Sequence, residues 1–133
     1  MTLPPPTRWR IALVLWMGAI FVTTHIPAAS SDATERVFGL FNYLARKTAH
    51  LAEFAVLSCL WYASIAGNLQ AWRLRIARLA WLLAALYGLS DEIHQAFVPN
   101  RSASWHDVAL DAAGALIGLL ILLRYKIKGA CVL

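Results

Sequence analysis

The stretch LSDEIHQAFVPNR, Leu89 to Arg101, sets two acids, a histidine and a glutamine within five residues, directly after the apolar run LAWLLAALYG. On a helix Asp91, His94 and Gln95 stand at i, i+3 and i+4 and share a face, while Glu92 lies about 100° round, within i+3 reach of Gln95. Two further strips have the same character. In KTAHLAE, Lys47, His50 and Glu53 fall at i, i+3 and i+6, an arc of about 120°. In DVALDAAGALIG, Asp107, Asp111, Gly114 and Gly118 occupy one narrow face.

Carboxylates and imidazoles at such spacing support three kinds of chemistry. Lys47 and Arg101 could hold a phosphate or other anion, with Gln95, Asp107 and Asp111 around it. His50, Glu53, Asp91, Glu92 and His94 would then be the candidate catalytic residues, serving as acid, base or orienting groups. Alternatively, His50-x-x-Glu53 and Asp91-x-x-His94 could hold a divalent metal, as carboxylate and imidazole pairs do in di-metal bundles. The order is reversed in one pair and Lys47 would repel a cation, so no metal and no cofactor are expected. The third reading is structural, a network of paired charges that specifies how the helices meet.

Several of these residues also have simpler roles. Ser104 and Asp107 fit the helix-start pattern S-x-x-D, which would make Asp107 a cap. Lys47 could snorkel to the interface, and Arg101 could neutralise an acid. His25 and His106 read as interface residues. The GALIG segment, Gly114 to Gly118, is a small-xxx-small pattern that lets a neighbouring helix approach and turns Asp107 and Asp111 inward.

The elements that carry these strips are set by composition. With 60% hydrophobic and only 14% charged residues in 133, and a mean hydropathy of +0.60, the chain is too apolar for a water-soluble domain. A spanning helix needs about 20 mainly apolar residues. Four stretches qualify, at about 9–26, 44–66, 79–97 and 105–123, and lone spanning strands would leave backbone groups unpaired in lipid. The expected fold is all-α, one integral-membrane four-helix bundle over 1–133 with its motif-bearing core at about 44–124. The first span, preceded by Arg8 and Arg10 and followed by IPAAS, also has the shape of a signal peptide; it is read as a retained helix.

Of the 12 Lys and Arg residues, Arg8, Arg10, Arg73, Arg75, Arg78, Arg124, Lys126 and Lys128 fall at one side of the spans, and Arg36, Arg46, Lys47 and Arg101 at the other. The positive-inside rule then places both termini in the cytoplasm. This bias accounts for the net charge of +5 as topology and anionic-lipid contact, so nucleic acid is not an expected partner. Cys59 in the second span and Cys131 at the cytoplasmic end form no disulfide framework. Residues 28–46 read as a short amphipathic piece at the outer interface. Gly67, Asn68 and the WRLRIAR segment read as the turn between the second and third spans. The third should stop near Phe97, because Pro99 disfavours helical geometry at Val98.

With these spans, five of the seven acids (Glu53, Asp91, Glu92, Asp107 and Asp111) and all four histidines lie toward the outer ends. An ionisable group at membrane depth costs a few kcal/mol or more and marks a functional site by default.

The combination of KTAHLAE, LSDEIHQAFVPNR and DVALDAAGALIG resembles the VanZ-like family of small bacterial integral membrane proteins, over about 46–123 and more loosely at FVTTHIPA. Two positions depart from the family pattern: Asn100 stands where Gly is common, and Asp111, an added carboxylate, where Asn is common. The resemblance implies a bacterial cytoplasmic membrane protein associated with glycopeptide, and specifically teicoplanin, resistance; it does not assign a reaction. Membrane lipids are the expected partners, with polyprenyl phosphate or a lipid-linked cell-wall precursor as the ligand that suits an outer-leaflet anion site. The charge bias predicts that, with Cys59 and Cys131 replaced by serine, Arg73→Cys and Arg101→Cys will react with a membrane-impermeant maleimide from opposite sides.

Overall fold

The computed structural model describes residues 5–24, 28–67, 72–98 and 104–130. They form four helices, α1 (Pro5–Thr24), α2 (Ala28–Ala66), α3 (Leu74–Gln95) and α4 (Trp105–Ala130). No strand occurs among them.

The first three helices begin earlier, and the fourth ends later, than hydropathy alone suggests. Proline is tolerated in a first helical turn, so α1 starts at Pro5. The segment expected to be a turn, RLRIAR, is built from good helix formers and becomes the start of α3 at Leu74. α4 runs on through its basic end to Ala130. The stretch 28–46, expected as a separate interfacial piece, is continuous with the second span except at Gly39, where φ 47° and ψ −122° break the helix. That conformation is open to glycine and strained for any residue with a Cβ. α3 stops at Gln95, its last carbonyls taken by the N–H groups of Ala96, Phe97 and Val98.

Interhelical contacts fix the topology. Thr24 and Met17 of α1 meet Asp91 and Tyr87 of α3, so these two helices run parallel. Lys47 and Ser58 of α2 meet Asp107 and Ala115 of α4, so α2 and α4 run parallel in the opposite sense. α2 packs against all three other helices, most extensively α4. One core cluster gathers Leu13, Ile20, Phe54, Leu57, Ala84 and Ala115; a second, nearer the end of α2 and the start of α3, holds Tyr62, Ala77, Ala80 and Leu119.

Two segments, Gly39–Ala66 and Trp105–Lys126, are long and apolar enough to cross a membrane. Arginines at positions 8, 10, 75 and 78 interrupt the early turns of α1 and α3, leaving shorter apolar runs there. Large apolar side chains face outward on every helix, among them Leu15, Leu86, Val56 and Leu120. Such a surface suits lipid contact and would drive association in water.

The α2–α4 seam depends on glycine. A Cβ at Gly114 would land on the Leu51 carbonyl, and one at Gly118 would sit 2.7 Å from the Ala55 Cα. Ser58 Oγ donates across the seam to the Ala115 carbonyl at 2.8 Å, and Cys59 Sγ reaches the Gly118 carbonyl at 3.4 Å. Gly114→Ala should therefore destabilise the protein by about 1–3 kcal/mol in detergent unfolding. Gly18→Ala, with no heavy atom within 4 Å of the added methyl, should leave stability unchanged or raise it slightly.

Candidate functional site

Nearly all the polar residues singled out in the sequence that are described lie where the end of α3 meets the start of α4 and the middle of α2. Each strip is held differently, and most of its hydrogen-bonding capacity is spent within the bundle.

Between α2 and α4 the glycine seam sets two rungs. Lys47 forms an ion pair with Asp107, both side chains about a quarter exposed. One turn further, His50 Nδ1 lies 3.5 Å from Asp111 Oδ1. That separation is at the edge of hydrogen-bonding distance, and the geometry is not that of a hydrogen bond. Neither Asp111 oxygen nor His50 Nδ1 has a hydrogen-bond partner among the described residues. Asp111 is 1% exposed, and its carboxylate faces Gly88 of α3 and the Phe54 ring. The His50 and Phe54 rings stack at 6.4 Å, and Phe54 in turn meets Tyr87.

Between α1 and α3 a second group closes on itself. Thr24 Oγ1 donates to Asp91 Oδ1, and Gln95 Nε2 donates to Asp91 Oδ2, each at 2.9 Å. All three residues are buried. The His94 ring lies 5.1 Å from that of Phe21. Tyr87 adds a further tie by donating to the Met17 carbonyl at 2.7 Å.

Between α3 and α4 the expected cap is rearranged. Ser104 precedes α4, and its carbonyl accepts from the Asp107 and Val108 N–H groups. Its own N–H does not go to Asp107, as a capping box would have it. Glu92 Oε2 accepts it instead, at 2.9 Å, which frees Asp107 for Lys47. The α3 and α4 ends also flank an apolar hollow of about 260 Å³ next to Glu92.

Glu53 is half-buried; its carbonyl accepts the Trp16 indole N–H at 3.0 Å, and no described residue donates to its carboxylate. Gly114 and Gly118 form the α2 contact described above. His106 is exposed on α4. His25 and Arg101 lie outside the described residues. The set His50, Glu53, Asp91 and His94 does not converge on one point: His50 turns to Asp111, Asp91 to Thr24 and Gln95, and His94 to Phe21. Among the described residues, no group of three or more His, Cys, Asp or Glu side chains could hold a metal ion.

Sequence reasoning missed Thr24, Gly88 and Phe54. Thr24 had a signal, a hydroxyl at the end of an apolar run, though a helix-terminal threonine is commonplace. Gly88 had one too, since an isolated glycine inside a helix usually has a packing reason. Phe54 had none: only the tertiary arrangement sets its ring against Asp111.

Among the described residues, helices alone, two membrane-length apolar segments, apolar outer faces and carboxylates clustered at one end are the features of a membrane protein with a polar helix-end cluster. A family model described as VanZ/LLP1 matches residues 9–127, and the chain belongs to that family. Membership links it to glycopeptide resistance at the level of the family. No curated protein and no solved structure matches the chain.

The rung geometry implies coupling between Lys47 and Asp107. Lys47→Met and Asp107→Asn should each destabilise by about 1–3 kcal/mol, and the double substitution should lose less than their sum, as read by a double-mutant cycle of unfolding in detergent.

Proposed function

We propose that the chain is a four-span protein of the bacterial cytoplasmic membrane, with both termini cytoplasmic. Its polar cluster, at the outer-leaflet ends of α2, α3 and α4, binds or acts on the head group of an anionic lipid-linked or cell-envelope ligand. Polyprenyl phosphate and a lipid-linked cell-wall precursor are the ligand classes that fit.

The observation that carries this reading is the unsatisfied His50–Asp111 pair. A carboxylate removed from water without a well-formed donor costs several kcal/mol, and Asp111 at 1% exposure has only the long 3.5 Å contact with His50 Nδ1. Every other described acid in the cluster except Glu53 has a donor within the bundle. The reading therefore divides the candidates. Asp91, Gln95, Glu92, Asp107 and Lys47 position the helices, while His50, Asp111 and Glu53 face the ligand. Arg101, between α3 and α4 in the sequence, is assigned to the phosphate.

A second reading, a non-catalytic scaffold held by an ion-pair network, is favoured by the self-contained Thr24–Asp91–Gln95 and Lys47–Asp107 groups. The two separate by mutation. On the ligand reading, His50→Ala and Asp111→Asn keep wild-type helicity and melting in detergent. His50→Ala, which removes an imidazole able to donate to the phosphate, weakens retention of polyprenyl phosphate by about tenfold or more, the scale of one charge-assisted hydrogen bond, and both substitutions abolish any glycopeptide phenotype. Losses that merely track stability would leave the scaffold reading.

A further inference from the structure

We propose that the hollow between the end of α3 and the start of α4 holds the first part of the hydrocarbon chain of a polyprenyl-linked ligand, an assignment that rests on the ligand reading above and adds a chain site to its head-group site. Both ligand classes named there, polyprenyl phosphate and a lipid-linked cell-wall precursor, carry such a chain.

Shape is the first argument. Leu89, Ile93, Ala96 and Phe97 form one wall and Trp105 and Val108 the other, around a space of about 260 Å³. An apolar cavity of about 150 Å³ takes one benzene ring, so this volume suits about ten carbons, or about two isoprene units. The wall from Leu89 to Ala96 runs about 10 Å at about 1.5 Å per residue, long enough to follow a length of chain.

Position is the second argument. Phe97 and Trp105, 82% and 80% exposed, stand at the rim and leave the space beside them open. Tryptophan collects where the bilayer meets water, so Trp105 sets the mouth at head-group level and the end at Leu89 and Val108 within the hydrocarbon. Ile93, 54% exposed, marks the side that faces lipid, by which a chain enters without leaving the membrane.

Charge is the third. Glu92 and Ser104 form the polar edge of the hollow, where Glu92 Oε2 accepts the Ser104 N–H at 2.9 Å. A carboxylate there repels a phosphate, so the hollow takes the chain and the head group lies beyond it. The polar cluster is adjacent: Leu89 follows Gly88, which lies against Asp111, and Val108 follows Asp107, the partner of Lys47. A ligand with its head group in the cluster has the hollow within reach of its first carbons. An apolar wall in lipid gains little by exchanging one chain for another. Selection comes from the link between head group and chain, which makes the second contact intramolecular.

The test places the full chain in phosphatidylcholine nanodiscs with polyprenyl phosphate carrying a diazirine near its phosphate end or, separately, phosphatidylcholine carrying one in an acyl chain. Labelled peptides are mapped by mass spectrometry. The polyprenyl probe should label residues 89–97 and 104–108 above all others, and excess polyprenyl phosphate, but not phosphatidylcholine, should cut that labelling about tenfold or more. The phosphatidylcholine probe should label outward-facing residues on every helix, such as Leu15, Val56, Leu86 and Leu120. Filling the hollow with Val108→Trp should weaken polyprenyl phosphate retention about tenfold at unchanged helicity and melting. If that variant does not fold, Ala96→Phe, at an exposed position of the wall, decides. Polyprenyl labelling spread evenly round the bundle, labelling that polyprenyl phosphate does not compete, or full retention in the folded filled variant overturns the proposal and leaves a surface covered by bulk lipid. Polyprenyl phosphate that is retained through His50 but labels outside the hollow overturns the chain assignment alone. A polyprenol, with no phosphate, that competes for the hollow as well as polyprenyl phosphate does overturns the anionic-ligand reading alone.

Discussion

The close approach of α2 and α4 is the constraint on which the rest of the bundle depends. Gly114 and Gly118 lie against the backbone of Leu51 and Ala55, one turn apart on each helix, so the two helices run parallel in fixed register. Register then dictates which side chains meet: Lys47 finds Asp107 and His50 finds Asp111 because both pairs sit on the same seam, one turn apart. In lipid there is little hydrophobic drive between helices, so backbone proximity and the hydrogen bonds it allows, such as Ser58 to the Ala115 carbonyl, carry the association.

α3 completes the arrangement by serving two neighbours. Its Asp91 reaches back to Thr24 of α1, and its Glu92 reaches forward to the Ser104 N–H that opens α4. Adjacent carboxylates in the sequence thus tie α3 to two different neighbours, as their 100° separation allows. The capping function expected of Asp107 passes to Glu92, and Asp107 is left to Lys47. A substitution at one acid would therefore be felt at another helix pair.

Much of the site is legible in the order of the amino acids. Lys47, His50 and Glu53, the S-D-E-x-H-Q run, and Asp107 with Asp111 above two spaced glycines stand out by helical spacing and by their cost in an apolar chain. Spacing along single helices cannot report partners across helices. It groups His50 with Glu53 and Asp91 with His94, whereas the structure pairs His50 with Asp111 and Asp91 with Thr24. Helix ends are also misplaced where arginine-rich helix formers at 73–78 resemble a polar turn.

The sequence by itself determined the class of protein and the location of its polar groups. An apolar chain of 133 residues with few charges has no use for them except at helix ends or in pairs, and its glycine spacing requires a close helix contact. Only the tertiary structure decided which charges are spent and which are open. Hydrogen-bond satisfaction belongs to interhelical distances, so Asp91, Glu92 and Asp107, which look equivalent to Asp111 in the sequence, find close donors while Asp111 has only the 3.5 Å contact with His50.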